Sequence, residues 1–171
     1  MSYLKSMTRR DLLKSGIAAG SLFIVGGGFV AAPNAAWAME VTHLQPSTMA
    51  TLIQMARDVY PHDHVTDDFY ATAMKGYDSA DAKAAIEEGV ASLNAAAVGR
   101  GYSSYLDIGW ERDRVDLLRS IDASPFFQTI RGGLITGLYN QKEVWPLFGY
   151  EGESYSQGGY MYRGFNDIKW V

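Results

Sequence analysis

"PSTMATLIQMARDVY", residues 46–60, places its apolar side chains at Met49, Leu52, Ile53, Ala56, Val59 and Tyr60. That i, i+3, i+4, i+7 spacing is the one-sided repeat of an amphipathic helix, whereas a strand would alternate. Pro46 suits a first helical position, where its missing N–H costs nothing, and Pro61 stops the run. The same test applied outward gives four more helices. Thr66 can cap a second one, with Asp67 and Asp68 in its positive first turn and Phe69, Tyr70, Ala73, Met74 and Tyr77 as its apolar members. Gly76 weakens its end. From about Asp81 to Val98 an alanine-rich stretch carries Ala82, Ile86, Val90, Leu93 and Ala97 on one face, before Gly99 and Gly101 end it.

Residues 110–121 set Val115, Leu118 and Ile121 on one side, with Glu111, Arg112, Asp113, Arg114 and Asp116 mostly on the opposite, solvated side. Ser124-Pro125 then opens a helix whose buried stripe is Phe127, Ile130, Leu134 and Leu138, ending near Tyr139-Asn140. Gly133 and Gly137, four apart, predict a close helix contact. Glu87 and Glu88, being adjacent, point to different parts of a helix surface and are expected to serve solvation. The expectation is an all-α domain of about five helices, without repeats.

The chain on either side of this domain reads differently. Residues 145–171 hold eight aromatics (Trp145, Phe148, Tyr150, Tyr155, Tyr160, Tyr162, Phe165, Trp170) and five glycines, with no sustained period. A segment of that length without regular structure either wraps the core or binds a partner, and Tyr and Trp supply rigid contact area with a polar tip. At the other end, Arg9 and Arg10 precede Leu12, Leu13 and Lys14, then a glycine-broken apolar run from Gly16 to Ala32 and the small-x-small pattern Ala36-Trp37-Ala38. In that order they predict a twin-arginine export signal, residues 1–38, cleaved after Ala38. The alternative is an uncleaved anchor, since residues 16–38 approach the roughly 20 needed to span a bilayer. The remaining division is a helical domain, 39–144, and an irregular tail, 145–171.

Removing the signal leaves eleven basic against eighteen acidic residues, a net charge of −7. That balance argues against nucleic acid, whose phosphates demand a basic surface, and against an anionic membrane surface. The absence of cysteine removes disulfides, thiolate nucleophiles, iron–sulfur clusters and covalent haem attachment. Pro61-His62-Asp63-His64 carries metal-ligand types, yet no second ligand cluster accompanies it. No G-x-S-x-G and no phosphate-binding glycine loop occurs. Neither a catalytic nor a cofactor-binding residue is therefore assigned.

The segment "VWPLFGYEGESYSQGGYMYRGFNDIKW", Val144 to Trp170, resembles the C-terminal signature of the gluconate 2-dehydrogenase subunit 3 family. Gly149-Tyr150, Gly158-Gly159-Tyr160, Gly164-Phe165 and Ile168-Lys169-Trp170 stand at matching places. The preceding "SPFFQTIRGGLITGLYNQKEVW" and the twin-arginine leader are similar to the same family, and "VYPHDHVTDDFYATAM" resembles a variant found in part of it. The likeness covers most of the mature chain and is loose between Asp78 and Gly109.

Members are small, non-catalytic accessory subunits of periplasm-facing dehydrogenases. The resemblance implies a larger FAD-binding partner of the glucose-methanol-choline type that oxidises an alcohol or sugar and lacks its own export signal, often with a cytochrome c carrying haem as a third subunit. It also implies a partner interface in the tail, for which Trp145, Gly149, Tyr150, Gly158, Gly159, Tyr160, Phe165 and Trp170 are the candidates. The competing expectation is an independent periplasmic metal-binding protein or hydrolase built on His62, Asp63 and His64.

Overall fold

The computed structural model describes residues 41–163 and 165, and before residue 41 only the backbone of 22–25 and 28–31. Leu22–Val25 (β1) and Gly28–Ala31 (β2) pair antiparallel, Phe23 opposite Val30 and Val25 opposite Gly28. The remainder of the described chain is helical: α1 Pro46–Val59, α2 Asp67–Lys75, α3 Ala80–Val98, α4 Glu111–Ser120 and α5 Pro125–Tyr139. Short 3₁₀ turns stand at Tyr105–Asp107, Trp145–Phe148 and Tyr155–Gln157. The expected all-α domain of about five helices is what forms. None of these helices is long and apolar enough to cross a membrane.

α1 is the centre. It is buried around nearly its whole circumference, from Thr48 to Ile53 and again at Met55, Ala56 and Asp58, and the other four helices all pack on it. A helix so placed must satisfy its polar groups internally. Thr51 Oγ1 donates to the Ser47 carbonyl at 2.9 Å, Thr48 Oγ1 donates to Glu87 of α3, and Asp58 is held by an arginine described below. The core that surrounds α1 includes residues whose periodicity marked them, among them Tyr70 and Met74 of α2, Ile86, Val90 and Leu93 of α3, Leu118 of α4, and Ile130, Leu134 and Leu138 of α5, together with Val65, Tyr105, Ile108 and Leu117, which it did not mark.

Caps follow the chemistry of their residues. Ser124 Oγ accepts the Phe127 N–H at 3.2 Å, with Pro125 behind it at the first helical position. Ser79, two residues upstream of the expected start of α3 near Asp81, accepts the Ala82 N–H at 3.3 Å. Thr66 behaves otherwise: its hydroxyl turns to the Asp68 carboxylate and caps no backbone amide.

Two glycines let α5 approach α2. A Cβ added at Gly137 would lie 3.3 Å from the Ala73 carbonyl oxygen and 3.4 Å from the Ala73 Cα, and one at Gly133 would strike the Tyr77 hydroxyl. Tyr77 uses that space to donate from its hydroxyl to the Thr129 carbonyl at 2.9 Å. Because the neighbour at Gly137 is backbone, it cannot swing aside as a side chain can. Gly137→Leu is expected to push the helices apart and cost about 1–3 kcal/mol, which a urea titration would read; an unchanged midpoint would mean that the contact is not tight.

The entrance to the domain is tied down by two carboxylates. Asp78, after α2, accepts the backbone N–H groups of Thr42 at 2.7 Å, His43 at 2.8 Å and Leu44 at 2.9 Å. Glu87 of α3 accepts the Gln45 N–H at 2.7 Å and the Thr48 hydroxyl. Glu87 therefore corrects the expectation of a purely solvating residue. A helix-surface carboxylate faces whatever segment crosses it, and here the segment arrives with unpaired amide donors. At Asp78 desolvation works toward a higher pKa, but the three amide donors and nearby His43 outweigh it and hold the carboxyl below its ordinary range.

Candidate functional site

The tail begins on Val144, which is fully buried, and turns at once into the 3₁₀ segment Trp145–Phe148. Trp145 faces the domain. Its indole Nε1 donates to the Tyr139 carbonyl at the end of α5 at 2.8 Å, and the Lys142 ammonium stands 5.9 Å from its ring centroid. Tyr150 meets the same indole edge-on at 5.3 Å. Gly149, at φ 74°, reverses the chain so that the Tyr150 N–H reaches the Trp145 carbonyl at 3.0 Å. Such a left-handed turn is natural to glycine and strained for side chains. Gly152 is buried at φ 101°, and a Cβ there would lie 3.6 Å from the Trp145 ring, so the backbone conformation rather than space calls for glycine.

Phe148 anchors the root a second time, between the two histidines of the α1–α2 loop. Its ring centroid is 4.9 Å from that of His62 and 4.9 Å from that of His64, edge-on to both. His62 Nε2 lies 2.7 Å from the Tyr139 hydroxyl. Burial, then His64 and Arg57, hold the His62 pKa below its ordinary value, while burial and Tyr60 raise that of Tyr139. A neutral imidazole accepting from a protonated phenol satisfies both groups.

The two imidazoles of this loop thus make an aromatic contact with Phe148. Asp63 is exposed, and among the described residues no group of three or more His, Asp or Glu is placed to hold a metal ion.

Beyond Gly152 the tail stops packing inward. A second turn, Tyr155–Gln157, is closed by Gly158 at φ 81° and Gly159 at φ 80°, with the Gly159 N–H donating to the Ser154 carbonyl at 2.7 Å. Arg163 folds back over Tyr160 and pairs with Glu151 at 3.4 Å. The apolar side chains of this part face outward: Tyr155 is 92% exposed, Tyr162 88% and Phe165 77%, with Tyr160 and Met161 also exposed. Single exposed apolar residues are ordinary, but here several fall within eleven consecutive positions and form one exposed apolar segment.

Of the candidate interface residues, Trp145 is turned toward the domain, Tyr150 is half-exposed against it, Gly149, Gly158 and Gly159 shape the turns, and Tyr160 and Phe165 are exposed. Trp170 lies outside the described residues, as do Arg9, Arg10, Leu12, Leu13, Lys14, Ala36 and Ala38. Sequence reasoning counted Tyr155 and Tyr162 among the aromatics of the tail without setting them in the interface, and it passed over Met161 and the 78%-exposed Trp110. Glycines on both sides of Tyr155 and Tyr162 were the available signal, since a chain that turns so often cannot bury every ring it carries.

Two further features gather polar groups or enclose space. Asp58 accepts from Arg114 Nε at 2.7 Å and from an Arg114 terminal nitrogen at 3.0 Å, and from the Tyr105 hydroxyl at 2.6 Å. Arg114, expected on the solvated side of α4, instead turns inward. Its position borders the apolar stripe, and the carboxylate of α1 supplies the charge that makes burial tolerable. Burial, then Asp58, pushes the Tyr105 pKa far up. Every oxygen of this cluster is engaged and none opens on a cleft, so it is a lock between α1, α4 and the Tyr105 turn.

The other feature is a groove of about 190 Å³ lined by Val41, Met49, Ile53, Ala71, Thr72, Lys75 and Asp78. It falls below the roughly 300 Å³ of small-molecule sites, and its one carboxylate is already taken by the amides of residues 42–44.

No family model, curated protein or solved structure matches this chain. The likeness to the gluconate 2-dehydrogenase subunit 3 family therefore rests on the tail and leader residues quoted above.

Proposed function

We propose that the chain is a non-catalytic small subunit of a periplasmic FAD-dependent dehydrogenase of the glucose-methanol-choline type. It binds the flavoprotein in the cytoplasm, carries it through the twin-arginine translocase and stays bound as a stabilising element. Arg9 and Arg10 engage the translocase, and FAD resides in the partner. A cytochrome c subunit is a further member of such a complex. Three features support this reading: a leader of the twin-arginine type, a tail resembling that family, and an acidic mature chain.

The observation that carries the reading is the outward-facing set Tyr155, Tyr160, Met161, Tyr162 and Phe165. These side chains contribute nothing to the core around α1, so their exposure costs hydration free energy that a partner would recover, at about 25 cal/mol per Å² of apolar surface covered. Interface energy concentrates in such aromatic anchors.

Replacing Tyr155, Tyr160, Tyr162 and Phe165 together with alanine is expected to abolish co-purification of the flavoprotein while the helical circular dichroism and the unfolding midpoint stay unchanged. Full recovery of the complex with this variant would remove the tail from the interface. Trp145→Ala should behave differently: it loses the bond to Tyr139 and lowers the stability of the root itself.

A further inference from the structure

We propose that Met161 is a modification site for peroxides: oxidation of its thioether to the sulfoxide makes the middle of the outward-facing arm polar and weakens the apolar contacts the arm can form. This concerns regulation of the segment assigned above to partner binding, and it rests on that reading for its use, though not for its chemistry.

Two independent observations single this residue out. The first is access. Among the described residues the methionines are Met49, Met55, Met74 and Met161. Met49 is 3% exposed, and Met55 and Met74 are fully buried in the core around α1, whereas Met161 is 74% exposed. A peroxide must touch the sulfur to oxidise it, so susceptibility follows exposure. The three core sulfurs are reached only when the domain opens; that of Met161 is reached in the folded chain.

The second is position. Met161 stands between Tyr160 and Tyr162, both exposed, with the exposed rings of Tyr155 before them and Phe165 after. A thioether is a flexible, polarizable apolar group suited to adaptable contacts, and the sulfoxide is polar. Covering a sulfoxide without giving it a hydrogen-bond donor carries the desolvation cost of any buried polar group. The cation nearest in sequence, Arg163, is already engaged by Glu151 at 3.4 Å and by the Tyr160 ring, whose centroid is 5.4 Å away.

The reaction balances with the peroxide as its one co-reactant. The Met161 sulfur donates a lone pair to one oxygen of hydrogen peroxide, and a sulfur–oxygen bond forms as the O–O bond breaks. The electron pair of that bond leaves with the second oxygen, which takes the proton shed by the first and departs as water. Sulfur is oxidised by two electrons and the peroxide is reduced by two. Methionine sulfoxide reductases return the sulfoxide to the thioether, so the change is reversible.

The test treats the mature chain, without its partner, with hydrogen peroxide and follows it by peptide mapping and by retention on a phenyl-substituted hydrophobic-interaction column. Sulfoxide at Met161 is expected to form at least about tenfold faster than at Met49, Met55 or Met74. Chain oxidised to that stage should elute earlier than untreated chain, with its helical circular dichroism and urea midpoint unchanged. In a Met161→Leu variant, which keeps an apolar side chain of similar size, retention should start close to the natural value and stay there through the same treatment.

Equal oxidation rates at the four methionines would overturn the proposal, as would unchanged elution of the Met161-oxidised chain or an equal shift in the leucine variant. No flavoprotein is in the sample, so each of these results leaves the partner assignment standing. Conversely, an alanine-substituted arm that still recovers the flavoprotein removes the arm from the interface and leaves the oxidation result standing.

Discussion

Replacing Arg114 with alanine is expected to cost the domain about 3–5 kcal/mol, the loss seen when one partner of a buried ion pair is removed. The Asp58 side chain is only 2% exposed and that of Arg114 14%, so water cannot take the place of the lost guanidinium. What remains is a carboxylate inside the core with the Tyr105 hydroxyl as its one strong donor. The Ile108 carbonyl, which accepts from Arg114 at 2.8 Å, is orphaned at the same time. Since single domains are stable by about 5–15 kcal/mol in total, one substitution removes a large share.

Urea unfolding at pH 7 measures this directly. A loss below about 1 kcal/mol, the size of a solvent-exposed pair, would show that the cluster is hydrated in solution. Arg114→Lys is expected to recover part of the stability only, because a single ammonium cannot donate to both carboxylate oxygens and to the Ile108 carbonyl in the fork geometry of arginine.

The second large effect is on location. With Arg9 and Arg10 both changed to lysine, export of this chain and of its flavoprotein is expected to fall nearly to zero, with both recovered from the cytoplasm as a folded complex. Charge is kept by the substitution, so a signal read only as a positive n-region would still work; loss of export separates recognition of two guanidinium groups from general electrostatics. Fractionation with detection of both chains is sufficient. A flavoprotein that reaches the periplasm beside a stranded small chain would refute the escort role, although a bound complex could still form. The mass of the exported chain reports in the same experiment whether cleavage follows Ala38.

The helices were legible because their signals are local. Pro46 and Pro61 bracket α1, Ser124-Pro125 opens α5 at the residue where it begins, and Gly133 and Gly137 announced a close contact that falls on α2. What was not legible depends on partners remote in sequence. Arg114 and Glu87 look like any other charge on a helix surface until Asp58, 56 residues away, and Gln45 and Thr48 are brought to them. A hint existed in Asp58 itself, the one carboxylate on a helix apolar on nearly every side. The His-x-His pair suggested ligands because residue types alone do not show that Phe148 packs against both rings.

In the tail, composition marked an aromatic, glycine-rich segment without regular structure, yet spacing without a period could not divide it into a root that packs and an arm that faces solvent. The interface expectation accordingly mixed Trp145, which faces the domain, with Tyr160 and Phe165, which face away.

The two-carboxylate tie at the domain entrance also sets an order of events during synthesis. Residues 42–45 find their acceptors 34 to 42 positions downstream. At about 5–20 residues per second, a ribosome needs roughly 2–8 s to add that many residues. The tie can therefore close only after α2 and the first half of α3 have emerged. Unlike a cap contained within one helix, its closure requires that α2 and the first half of α3 have already been made, and it comes late although the residues it secures are made early.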